Sequence, residues 1–144
     1  MTARAPGIAR AALVVLTVTA ISIGLPASFA PQSFYDDYPF FASWVDLLPP
    51  YNEHLVTDVG GLYLGFAVVL GWAAWTLQRE LVRAVCAGWA LMALLHFIFH
   101  AGHLDGFSTA DAVAELVSLG AVLIVPAVAV WGAGARQAEA AAAP

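Results

Sequence analysis

Residues 81–101 read LVRAVCAGWALMALLHFIFHA, an apolar run whose single charged side chain is Arg83. An α-helix needs about 20 predominantly apolar residues to cross the roughly 30 Å hydrocarbon core of a bilayer. This run therefore predicts a transmembrane helix. The same criterion predicts three further spans at residues 8–29, 55–77 and 110–131.

The composition of the whole chain agrees with these spans. Of the 144 residues, 62% are hydrophobic and 10% are charged, and the mean hydropathy is +0.83. A water-soluble domain has about 25% charged residues. We predict an all-α fold, an antiparallel four-helix transmembrane bundle formed by one domain over residues 1–144. Residues 30–54 form a long outer loop in this prediction, and residues 134–144 form a cytoplasmic tail.

Charge and cysteine content exclude several functions. The net charge is -5, with five arginines and no lysine, so the chain lacks the clustered cations that bind nucleic acid. Cys86 is the single cysteine, which excludes a disulfide framework and a C-x-x-C redox or haem-attachment motif. Phosphate-binding loops, nucleophile elbows and H-E-x-x-H pairs do not occur in the sequence either. Any chemistry must therefore come from histidines and carboxylates.

The arginines predict the orientation of the chain. All five lie on one side of a four-span protein: Arg4, Arg10, Arg79, Arg83 and Arg136. The positive-inside rule assigns that side to the cytoplasm, so both termini are expected there. The opposite side has only acidic charges: Asp36, Asp37, Asp46, Glu53 and Asp105. The predicted location is the inner membrane of a bacterium, with several passes.

The first span has a second interpretation as a cleavable signal peptide. Ser28-Phe29-Ala30 would then be the cleavage site, and Arg4 and Arg10 the basic region. The apolar run is long for a signal peptide, and Pro31 directly after the site disfavours cleavage. We expect the span to be retained.

Small residues in the second span predict a helix contact. Gly61 and Gly65 form a G-x-x-x-G pattern, and at helical spacing His54 and Asp58 share their face. We predict that this face lies inside the bundle. An alternative is that the two glycines bind a partner helix or a second copy, which would make the chain an accessory subunit of a membrane complex.

The fourth span also places polar residues on one face, where Asp111, Glu115 and Ser118 align. Ser108 and Asp111 form a predicted capping box at its start. Pro126 should bend this helix and leave the carbonyl of Val122 without its helical donor.

Aromatic residues are concentrated in the outer loop. A short helix ended by Pro49-Pro50 would put five apolar residues on one side: Phe40, Phe41, Trp44, Leu47 and Leu48. Such a segment fits the headgroup region, where amphipathic aromatics settle. We expect an interfacial anchor, and the alternative is a lid over the bundle mouth.

Histidines are grouped at the end of the third span. His96, His100 and His103 share a face if the helix continues that far, with Trp89 further along the same face. Counting the helical rise from each helix end places His96, Asp58 and Glu115 at one depth, about 10 Å below the outer boundary.

Ionisable side chains at this depth are costly, which suggests that they have a function. The leading hypothesis is a transition-metal site, with Zn, Cu or Fe used for metal handling or a redox step. The predicted ligands are His96, His100, Asp58 and Glu115, with His54 and His103 at the entrance. Haem is not expected, since it would require His54 or a partner to face the third span. Two alternatives remain open: a metal-free acid and base acting on a lipid-soluble substrate, and hydrogen bonds that only hold the helices together.

The sequence also resembles a known group. The motif consists of residues 58–65, DVGGLYLG, with Asp105-Gly106 after the third span and Glu115 early in the fourth. It is similar to small four-span bacterial membrane proteins, namely DoxX-like proteins and related families of unknown function. The resemblance covers about residues 8–133. It implies a four-helix bundle and brings no catalytic residues.

Overall fold

The computed structural model describes residues 5–40, 42–48 and 50–142, and these residues form helices and connecting loops without a β-strand. The five α-helices are α1 Ala5–Phe29, α2 Pro31–Asp37, α3 Glu53–Thr76, α4 Arg79–Ala101 and α5 Thr109–Ala142. Among the described residues, α1, α3, α4 and α5 are long and apolar enough to cross a membrane. The all-α prediction and its four spans are confirmed, and the chain is a multi-pass membrane protein.

Local sequence signals set the helix ends. The Asn52 side chain accepts a hydrogen bond from the Leu55 amide and caps α3. Leu77 adopts left-handed backbone geometry, with φ 51°, and ends that helix just before α4 begins. The Ser108 hydroxyl oxygen accepts from the Asp111 amide at 3.2 Å, so the predicted cap of α5 is confirmed. The last helix continues to Ala142, so the described part of the predicted tail is helical.

The long helices form a ring in the order α3, α1, α5, α4. Helix α1 packs along α3 and α5, and α4 packs along α5, whereas α3 and α4 contact each other much less. Neighbours run antiparallel. Arg10 Nε donates to the carbonyl of Ala74 at one end of the α1–α3 pair, and Ser28 meets Gly60 at the other. We call the end with Arg10, Arg79 and Arg83 the arginine end, and the opposite one the loop end.

Glycine determines the approach of α1 to α3, but at positions other than the predicted ones. A Cβ added at Gly60 would lie 2.5 Å from the backbone nitrogen of Ser28, while one added at Gly61 or Gly65 would meet nothing within 4 Å. The prediction that the face with Gly61 and Gly65 lies inside the bundle is wrong. Adjacent helical positions differ by about 100°, so the contact at Gly60 turns Gly61 outward.

The outer loop differs from the predicted single helix. Its helical parts are α2 and one turn of 3-10 helix, Val45–Leu47. Pro39 lacks the amide that would extend a helix, and Ser43 has a φ of 51°, and neither residue is helical. Phe41 and Pro49 lie outside the described residues, as does Arg4. Trp44 Nε1 donates to Asp111 Oδ1 at 3.1 Å, which ties the loop to the first turn of α5.

Candidate functional site

A buried histidine and a buried glutamate connect α4 to α5 near the loop end. His100 Nδ1 lies 2.6 Å from Glu115 Oε1, and the two residues are 7% and 3% exposed. One shared proton makes the pair neutral overall, whether that proton resides on the imidazole or on the carboxyl. This neutrality limits the cost of placing two ionisable groups inside a membrane.

The contact follows from the stagger of the two helices. His100 is one residue from the end of α4, while Glu115 is six residues into α5. The first turn of α5 therefore projects beyond the end of α4, by roughly 7 Å at the helical rise per residue. The sequence predicts His96 and Glu115 at the same depth. The stagger instead pairs Glu115 with His100.

The second carboxyl oxygen of Glu115 lacks a hydrogen-bond partner among the described residues. This atom, Oε2, is buried. Buried polar atoms are nearly always paired, so an unpaired one in a folded protein requires an explanation. Here the atom belongs to the same carboxyl that pairs with His100.

His96 connects this pair to a groove. The rings of His96 and His100 are 4.3 Å apart between centroids, and His96 lines a groove of about 550 Å³ between α3 and α4. The groove follows from the weak contact of these two helices, where Gly88 leaves space beside Phe66. Its other walls are apolar or aromatic: Val59, Leu62, Tyr63, Phe66, Leu91, Met92 and Leu95.

Trp89 supports the groove from behind. It is 1% exposed, and its ring meets Tyr63 and Phe66 edge to face, with centroids 5.9 and 5.6 Å away. Its Nε1 donates to the carbonyl of Val122 at 3.3 Å. That carbonyl is the one predicted to lose its helical donor at Pro126. The indole therefore supplies the hydrogen bond that the Val122 carbonyl cannot receive from Pro126.

The remaining predicted ligands lie elsewhere. His54 Nε2 is 3.4 Å from Asp58 Oδ2, one turn apart on α3, and both side chains are more than half exposed. His103 follows the end of α4, stacks on Phe99 and hydrogen-bonds its carbonyl. The histidine face therefore stops at His100, because α4 ends at Ala101.

Four of the six predicted ligands form two separate pairs, His100–Glu115 and His54–Asp58. The other two, His96 and His103, belong to neither pair. Within the part of the chain that the structure describes, no three His, Cys, Asp or Glu side chains are close enough to hold one metal ion. The arrangement brings together His96, His100 and Glu115, and leaves out Asp58, His54 and His103. Binding of a transition metal stays a prediction.

A protein-family model matches residues 8–126, which is most of the chain. The family is described as a domain of unknown function, DUF4345. The chain belongs to this DUF4345 family. No curated protein and no solved structure gives a significant match. The resemblance to families of unknown function is consistent with this result, and the DoxX-like resemblance is not confirmed.

The matched part of this DUF4345 chain includes every residue of the site. It runs from α1 to Pro126 in α5 and so contains His96, His100 and Glu115 as well as the groove. Sequence reasoning selected these three residues but missed the groove wall and the role of Trp89. Tyr63 and Met92 are in contact across the groove, with Tyr63 Oη 3.5 Å from Met92 Sδ. Trp89 lies two turns before His96 on the same helix face, and this spacing was the sequence signal for its role.

Proposed function

We propose that this DUF4345 protein binds a lipid-soluble small molecule in the groove between α3 and α4 and exchanges a proton with it at His96. The observation that carries the proposal is an unbroken series of side-chain contacts from the groove to the buried carboxyl of Glu115. His96 lines the groove, its ring contacts that of His100, and His100 hydrogen-bonds Glu115.

The groove favours an apolar ligand. Its volume of about 550 Å³ lies within the range of small-molecule sites, roughly 300–1,000 Å³. It lies along two membrane-spanning helices, so a ligand can enter from the lipid. Among the described residues of the wall, the polar groups are the imidazole of His96 and the hydroxyl of Tyr63. An apolar body with a hydroxyl or carbonyl at one end fits this lining.

Proton exchange is the chemistry that these residues support. A ligand hydroxyl would give its proton to an imidazole nitrogen of His96, and the reverse step would return it. When the His100–Glu115 pair carries no shared proton, the Glu115 carboxylate on the far side of His100 would stabilise the positive charge formed on His96. This is the metal-free alternative of the sequence analysis.

The orientation completes the proposal. Described arginines lie at one end of the bundle, so the positive-inside rule puts that end in the cytoplasm and the site near the outer leaflet. The membrane would be the inner membrane of a bacterium. A reporter fused to the C-terminus that is active only in the cytoplasm checks this arrangement.

Ligand retention tests the groove directly. Protein is purified in native-membrane nanodiscs, and apolar molecules enriched over bulk lipid are identified by mass spectrometry. Gly88→Leu fills the groove, since a Cβ there would make ordinary contact with Phe66 at 3.8 Å. Gly65→Leu is the matched control, because a Cβ there meets nothing within 4 Å and the residue does not line the groove.

We expect an enriched species in wild-type protein and in Gly65→Leu, and its loss in Gly88→Leu. Wild-type protein without any enriched species would contradict the proposal, and so would equal enrichment in Gly88→Leu.

A further inference from the structure

A second groove lies on the other side of α4, toward the arginine end. It has a volume of about 490 Å³ and runs between α4 and α5. Small side chains form much of its lining, namely Ala87, Ala90 and Ala127, so the two helices leave a recess between larger residues. Trp131 is 64% exposed and lines the groove at the arginine end, as Arg83 does.

Among the described residues that line this groove, Arg83 is the charged one. Its side chain is 46% exposed and pairs with Glu80, whose side chain is 85% exposed, at 3.6 Å. An ion pair in contact with solvent is weak, so the guanidinium can exchange Glu80 for a stronger anion. The groove therefore combines an apolar channel with one cation at its end.

We propose that this groove holds one acyl chain of an anionic phospholipid whose phosphate pairs with Arg83. The channel spans about 10 Å from Arg83 to Ala90 along α4, which accommodates part of an acyl chain. Arginine binds phosphate oxygens with two parallel hydrogen bonds. Trp131 supplies an amphipathic ring at the level where headgroups begin. Basic pockets between membrane helices bind anionic lipids, because the cation pairs with the headgroup while the groove holds an acyl chain of the same molecule.

Lipid retention in native mass spectrometry tests this site. The protein is reconstituted in equal amounts of phosphatidylglycerol and phosphatidylcholine and released with its bound lipid. We expect wild-type protein to retain phosphatidylglycerol about fivefold over phosphatidylcholine. Arg83→Gln should abolish the preference, and Glu80→Gln should increase it because the competing carboxylate is gone.

Variants that fill the groove test the contact with the acyl chain separately from the contact with Arg83. Ala127→Phe should reduce retention of both lipids, whereas Ala121→Phe, also exposed on α5 but outside the groove, should not. Equal retention of the two lipids by wild-type protein would overturn the proposal. So would an unchanged preference in Arg83→Gln, or equal loss of lipid in Ala127→Phe and Ala121→Phe. Circular dichroism confirms that each variant is folded.

Discussion

His100 Nδ1 and Glu115 Oε1 lie 2.6 Å apart and connect α4 to α5 inside the bundle. These residues are separated by a short loop in the sequence, yet they are among the most buried polar groups of the described chain. Their contact contributes to stability and also places a carboxyl behind the histidine that lines the groove.

Glu115→Ala is expected to destabilise the protein. It leaves the buried imidazole of His100 without its partner, which costs about 1–3 kcal/mol. Glu115→Gln keeps an oxygen that accepts from Nδ1–H, so most of the stability should remain. The free energy of unfolding in detergent micelles measures both. Equal destabilisation by Ala and Gln would show that the hydrogen bond does not matter.

Trp89→Phe should cost about 1 kcal/mol because the Val122 carbonyl loses its donor. In a Pro126→Ala background, residue 126 regains a backbone amide that can reach this carbonyl, so the same change should cost less. A double-mutant cycle on unfolding free energies gives the difference. An equal cost in both backgrounds would contradict the assigned role of the indole.

Gly60→Ala should separate α1 from α3. Its Cβ would lie 2.5 Å from the backbone nitrogen of Ser28, and such overpacking costs about 1–3 kcal/mol. Gly61→Ala is the control, since its Cβ would be in open space, and it should be neutral or slightly stabilising. Thermal unfolding distinguishes the two. Similar losses for both variants would mean that Gly60 is not the contact point.

Chelation separates the proposed proton site from the predicted metal site. If the groove ligand needs no metal, treatment with a strong chelator should leave the retained apolar molecule unchanged. Elemental analysis before and after treatment is the matched measurement. Stoichiometric metal that is lost together with the ligand, and that is also lost in His96→Ala, would favour the metal site.

Helix positions could be read from the sequence because the membrane requires long apolar runs whatever the tertiary contacts are. The capping by Ser108 and the loss of a helical donor for the Val122 carbonyl were readable because both are local. Which glycine contacts a neighbour was not readable. Gly60 and Gly61 are adjacent, and the choice between them depends on how α1 packs.

The site was predicted in part. His96, His100 and Glu115 were selected by type and position, but their pairing depends on the stagger of α4 and α5, which the loop geometry sets. Asp58 was assigned to the same site because it lies at the depth of His96 and shares a face with Gly61 and Gly65, and that face points out of the bundle. The groove could not be predicted, since it arises from the weak contact between α3 and α4.

Infrared difference spectroscopy reports whether the Glu115 carboxyl responds when a ligand binds in the groove. A hydroquinone with a short prenyl tail is added to protein in nanodiscs, and the carboxyl bands of the bound and free states are compared. We predict a shifted band in wild-type protein that is missing in Glu115→Gln and much reduced in Gly88→Leu. Failure of the probe to bind, or the same band shift in Glu115→Gln as in wild-type protein, would contradict ligand binding and proton exchange at this site.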